Sequence, residues 1–126
     1  MEIIIPELAI KKARKLIQTY CKEHFICLYL DARLEVKHTE LISLGTLDAT
    51  IVHPREVFHP AIEKPSASII VLHNHPSGDI EPSDDDRHIT KRLCEAGKIL
   101  GIQVLDHVIF DKGEKHYSFR KSGLIR

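Results

Sequence analysis

SIIVLHNHPSGDIEPSDDD, residues 68–86, decides how this chain is read. Ser68–Leu72 is a short apolar run rich in β-branched residues, too short for a helix, and it predicts a buried strand. The strand feeds straight into His73. In extended backbone, residues i and i+2 share a side, so His73 and His75 point one way and Asn74 the other. Pro76 cannot donate a ladder bond, so pairing should stop there and leave both imidazoles at a strand end. Ser77-Gly78-Asp79 makes a return turn. Ser83 then opens a helix: it is a good N-cap, Asp84, Asp85 and Asp86 crowd the positive end of the dipole, and Gly101 is placed to end it. Ile89, Leu93, Ala96 and Leu100 form the expected apolar stripe.

Outward from this unit, Phe25–Leu30 (FICLYL) is a second continuous apolar run and predicts a central strand buried on both faces. Upstream, Ala9, Ala13, Leu16, Ile17, Tyr20 and Cys21 recur at helical spacing, which predicts a helix from Pro6 to about Lys22. Lys11, Lys12, Arg14 and Lys15 take its other face, read as a solvated face. Asp31-Ala32-Arg33 is a turn. VKHTELISL before Gly45 and TLDATIV after it predict a hairpin or a bent long strand. Pro54 suits the first position of a helix, which Pro60 should keep short, kinked or broken. Ile102–Phe110 is another strand, DKGE a turn, and Lys115–Phe119 a last short strand. Interleaved helices and hairpins predict an α/β fold around a mixed sheet.

The composition sets bounds. The chain has 126 residues, enough for one domain. Lys plus Arg equal Asp plus Glu, at 18 each, so zero net charge leaves no overall footprint for nucleic acid or membrane. No apolar run approaches the ~18 residues of a membrane span. MEIIIPELAI lacks a basic n-region and a small-residue cleavage site, so no signal peptide is expected. Cys21, Cys27 and Cys94 are odd in number and form no CxxC, which predicts small buried hydrophobes in a reducing compartment, with the cytoplasm as the default location. His24, His38, His59 and His88 have no partner at ligand spacing and are expected as surface or half-buried rings.

The strand end carries the chemistry. Two imidazoles on one side can grip one cation, and a catalytic zinc site usually takes a third protein ligand and keeps a position open. Asp86, in the first turn of the helix that returns to the strand end, completes His-x-His, ten residues, Asp. The competing reading makes Asp86 a capping residue, since Ser83-x-x-Asp86 is close to a capping box. Apolar strand, His-x-His-Pro, glycine turn and Ser-capped acidic helix together favour metal binding. Asp79, Asp84 and Asp85 lack the right placement. Asp106-His107 looks like a dyad, but strand neighbours face opposite ways, so a structural role is expected there.

His-x-His-Pro with Ser-x-x-Asp resembles the signature of the JAB/MPN (JAMM) metallopeptidase family. HNHPSGDIEPSDDD together with EHFICLYLD, GTLDATIVHPREVF and GIQVLDHVIF is similar to its RadC branch, over almost everything from Glu23 to Leu124. The resemblance implies a cytidine-deaminase-like three-layer sandwich with one zinc ion at the sheet's end. It assigns His73, His75 and Asp86 as zinc ligands and Ser83 as the serine that steadies the oxyanion. It puts the general base just before the first core strand, where Glu23 is the nearest match and His24 lies one residue off. Glu56 is the rival, because the helix before Ser68–Leu72 should begin at the metal end, bringing His53, Arg55 and Glu56 near the mouth.

The resemblance thus implies a zinc-dependent hydrolase of a peptide or isopeptide-like amide bond, with a peptide or protein as substrate. The alternatives are a DNA repair accessory role, which the RadC label suggests and the zero net charge disfavours, and a non-catalytic MPN scaffold. Residues 1–126 are expected as a single such domain, without the helix-hairpin-helix region that precedes it in longer relatives.

Overall fold

A computed structural model describes residues 5–45 and 52–125. Its centre is the pair of apolar runs. FICLYL lies within β1 (Glu23–Leu30) and SIIVL within β3 (Ser68–Asn74). The two pair antiparallel, with Phe25 opposite His73 and Leu30 opposite Ser68. β2 (Val36–Gly45) pairs antiparallel with β1, β4 (Gln103–Phe110) pairs parallel with β3, and β5 (His116–Ser118) pairs antiparallel with β4. The order β2-β1-β3-β4-β5 makes one mixed five-stranded sheet.

Both faces of β1 and β3 are buried because each is covered by helix. Side chains alternate along the strands. Phe25, Cys27, Tyr29, Ile69 and Val71 face α2 (Pro54–Glu63) and α3 (Asp84–Leu100). Ile26, Leu28, Leu30, Ile70 and Leu72 face α1 (Pro6–Arg14) through Ala9, Ile10 and Ala13. The result is the three-layer α/β/α sandwich around a mixed sheet that the sequence implied. A strand with one wet face would alternate polar and apolar; these two do not, which is why the unbroken runs were informative.

Four expectations need correction. α1 stops at Arg14, not near Lys22: Lys15, Leu16 and Ile17 each donate to the carbonyl three residues back, tightening the last turn. The Gln18 N–H then goes to the His24 ring, which takes the chain out of the helix. Cys21 is consequently exposed, while Cys27 is buried and Cys94 half-buried, all as free thiols. His24 is buried, not peripheral: Nε2 accepts from Gln18 N–H and Nδ1 donates to the Lys22 carbonyl. Arg14 is no solvated cation either, since it donates to Tyr20 Oη and to the carbonyls of Asp111 and Gly113, tying α1 to the β4–β5 turn.

α2 is short but runs through Pro60 to Glu63. The lost bond would have gone to the carbonyl of Glu56, a solvent-exposed residue, so water can take it, and Pro60 itself packs into the core. Val57 on this helix accepts from Tyr29 Oη at 2.6 Å. TLDATIV falls almost wholly on residues 46–51, outside the described residues.

α3 begins and ends as expected, with Ser83 as N-cap and Gly101 in the left-handed region. Its buried stripe is Asp86, Ile89, Thr90, Leu93 and Gly97, and Leu100 lies exposed. At Gly97 a Cβ would run into the Ile102 carbonyl, so a glycine is needed for the helix to pack against the start of β4. This helix is the β3–β4 crossover, and it returns the chain so that its first turn faces the end of β3.

Candidate metal centre

The site is the meeting of a strand end and a helix start. β1 covers β3 only as far as Phe25 opposite His73, and the last two residues of the His-x-His unit stand clear of that pairing. His73 is wholly buried and His75 half-buried, at 0% and 13% side-chain exposure. Their Nε2 atoms lie 2.9 Å apart. Asp86 reaches both: Oδ1 is 3.0 Å from His73 Nε2 and Oδ2 is 3.2 Å from His75 Nε2. One ligand atom from each of the three residues lies within 4.8 Å of the others.

Asp86 serves as cap and as site residue at once, so the two readings were not exclusive. Its Oδ2 accepts from Ser83 N–H at 2.8 Å, and Ser83 Oγ accepts from Asp86 N–H at 3.1 Å, a complete capping box. The box fixes the rotamer that aims the carboxylate at the strand. Burial alone would raise this carboxyl. The hydrogen bonds to His73 and His75, the charge of His73 and the Ser83 N–H outweigh it and hold Asp86 well below the usual carboxylate range. On His75, burial works against the charged ring, but the bonds to Asp86 and the Asp79 carbonyl, with the charges of Asp86 and Glu23, carry the net direction upward.

Each histidine is held from behind by a different kind of group. His75 Nδ1 lies 2.6 Å from the carbonyl of Asp79, in the loop that carries Gly78 at φ 84. A carbonyl only accepts, so Nδ1 carries the proton and Nε2 is left for the site. His73 Nδ1 lies 2.8 Å from Nε2 of His107, on the neighbouring β4, whose Nδ1 lies 2.5 Å from Thr90 Oγ1 of α3. Phe119 stacks on the His107 ring at 4.5 Å between centroids. Burial and the adjacent His73 push His107 well below the ordinary histidine range.

Of the sequence-nominated residues, His73, His75, Asp86 and Ser83 are brought together. Glu23 opens β1 and is half-buried. It shares a side with Phe25, which stacks on His73 with centroids 6.1 Å apart, and its charge acts on His75. His24 points to the opposite side and does not share that position. Asn74 fixes the segment: Oδ1 accepts from His24 N–H at 2.7 Å and Nδ2 donates to the Lys22 carbonyl at 2.9 Å, so one carboxamide grips the peptide groups on both sides of Glu23. Glu56 is exposed and lines a shallow depression with Arg55, His59, Ile62 and Leu100. Leu100 ends α3, fourteen residues and ~20 Å of helix from Asp86, so that wall faces away from the triad.

Asp106 and His107 do face opposite ways. Asp106 accepts from Ser118 Oγ, His107 N–H and Arg120 N–H on the far side of the sheet, and burial pushes its carboxyl up despite those bonds. The part not read from sequence is that His107 stands against His73. The one available signal was a lone buried polar ring within the apolar run of β4.

The donor set suits a divalent ion. Two imidazole nitrogens and a carboxylate converge, both rings have their other nitrogen occupied, and the composition matches zinc and related metals. Among the described residues no helix is long and apolar enough to cross a membrane.

Comparison with known proteins agrees in extent. The profile of the RadC-like JAB domain matches residues 4–124. UPF0758 proteins from Bacillus cereus, Bacillus anthracis and Bacillus thuringiensis are each 52% identical over 104 residues, 82% of this chain. The chain spans about half the length of these curated relatives, 46% in each case.

Proposed function

The chain belongs to the RadC-like JAB domain family, and from that premise we propose that it is a zinc-dependent hydrolase of the JAMM type, acting on a peptide or isopeptide-like amide bond. One observation carries the reading: His73, His75 and Asp86 converge on one point at a strand end. These three residues would hold one zinc ion, which when bound supplies Lewis acidity toward a water molecule and a carbonyl oxygen.

The chain's own residues account for the proton movements. Glu23 is the general base: its carboxylate takes a proton from the attacking water and hands it to the leaving nitrogen as the C–N bond breaks. Its place on the His73 side of β1 supports this role. Ser83 supplies a hydrogen bond to the developing oxyanion. Its oxygen already accepts from Asp86 N–H, which leaves the hydroxyl proton to donate. The substrate is a peptide or protein. Three free cysteines, one of them exposed, suit a reducing compartment, and we assign the chain to the cytoplasm.

Elemental analysis of protein purified without chelators tests the metal. The expected result is about one zinc per chain, lost in His73→Ala. Cleavage of a mixed peptide and isopeptide library tests the chemistry: Glu23→Gln should keep the metal and lose about 10²- to 10⁴-fold in rate. Protein with no stoichiometric metal, unaffected by His73→Ala, would sink the reading. Full activity in Glu23→Gln would remove Glu23 from it.

A further inference from the structure

Behind the three ligands runs a line of three hydrogen bonds. His73 Nδ1 meets His107 Nε2 at 2.8 Å, and His107 Nδ1 meets Thr90 Oγ1 at 2.5 Å. The Thr90 hydroxyl donates to the backbone carbonyl of Asp86 at 2.9 Å. At the other end His73 Nε2 lies 3.0 Å from the Asp86 carboxylate. All four residues are buried, so each unmade bond would cost a full desolvation penalty.

The line has a direction because its last member cannot donate. A carbonyl only accepts, and a hydroxyl has a single proton. With that proton committed to the Asp86 carbonyl, Thr90 Oγ1 accepts from His107, so His107 carries its proton on Nδ1. A neutral imidazole has one N–H, so His107 Nε2 accepts in turn and His73 donates from Nδ1. His73 Nε2 is then bare, and it is the atom that faces Asp86 and His75.

We propose that Thr90 and His107 are positioning residues of the metal centre, a two-residue relay that fixes the tautomer and ring orientation of His73 so that Nε2 is presented to the ion. The inference rests on the metal reading above. It explains why a threonine and a second histidine occupy core positions where Leu or Val would pack without polar cost. It also explains their places in the chain. Thr90 lies one helical turn after Asp86, so the same stretch of α3 supplies the third ligand and the far end of the relay. His107 lies opposite Val71 across the parallel pairing, on the side of the sheet that carries His73.

The test uses the full chain and zinc alone. Affinity is read by competition with a chromophoric chelator for wild type, Thr90→Val and Thr90→Ser. Thr90→Val keeps the shape and removes both hydroxyl functions; it should bind zinc about 10- to 100-fold more weakly. Thr90→Ser restores the hydroxyl and should stay close to wild type. Nitrogen NMR of the imidazoles in zinc-loaded wild type should show His107 neutral with its proton on Nδ1, a reading that needs no variant. Folded Thr90→Val with wild-type zinc affinity, or His107 protonated on Nε2, overturns the relay and leaves the metal reading standing. Wild type that takes up no zinc sinks both.

Discussion

His73 and His75 belong to one strand end, two residues apart, yet they stand in different environments. The His73 side is closed: the ring is wholly buried, stacked on Phe25, and backed by His107 and Thr90 from two other elements. The His75 side is open: the ring is partly exposed and, among the described residues, backed by the Asp79 carbonyl of its own loop. One imidazole is held by tertiary structure and the other by a turn. A site built this way has a rigid wall that sets geometry and a side open to solvent.

The largest test of this contrast is a pair of deletions. In chelator-treated protein, His73→Ala should cost about 2–4 kcal/mol in denaturant unfolding, because it leaves a cavity and strands His107 Nε2. His75→Ala should cost under about 1 kcal/mol, since its ring borders solvent. Both should lose zinc. Equal unfolding penalties would abolish the distinction between a closed and an open side.

The two sides should also respond to acid with opposite sign. His107 has a folded pKa below its unfolded value, so the unfolded chain binds more protons once pH drops below about 6.5, and stability falls by about 1.4 kcal/mol per pH unit across that window. His75 has a folded pKa above its unfolded value, so its contribution is complete below about 6.5 and is lost as pH rises through the folded pKa. In chelator, His107→Gln should therefore lose the fall in stability below about pH 6.5, and His75→Gln should lose the gain that wild type makes as pH drops toward about 6.5. Parallel curves for the two variants would contradict the assignment.

The smallest effect belongs to the loop itself. Gly78 sits at φ 84 with nothing within 4 Å of where a Cβ would stand. Gly78→Ala should cost only the backbone strain, about 1 kcal/mol in unfolding, with zinc retained. A larger loss, or loss of zinc, would show that the open side is more tightly specified than its contacts suggest.

What could be read ahead of the structure follows the same division. FICLYL, SIIVL and the capped helix at Ser83 were legible because each announces itself within a few residues, by apolar continuity or by capping chemistry. His73, His75 and Asp86 were legible for the same reason: their spacing is local, carried by one strand, one turn and one helix start. His107 and Thr90 were not, because their place depends on the register between β3 and β4, which is irregular between Ile69 and Ile70 and is set by long-range packing. The end of α1 departs from its apolar spacing for a similar cause. Its apolar spacing continues past Arg14, but the Gln18 N–H is claimed by His24, a partner that only the folded sheet supplies.

Asn74 carries a consequence for how the protein comes into being. Its carboxamide holds Lys22 and His24 across separations of 52 and 50 residues. Contacts of such span close large loops and form slowly compared with local ones. During synthesis the segment around Glu23 emerges long before the residue that anchors it, and it cannot be seated until β3 has docked beside β1. The carboxylate proposed to move protons is thus latent in every partly folded chain and takes its station only when the sheet is whole.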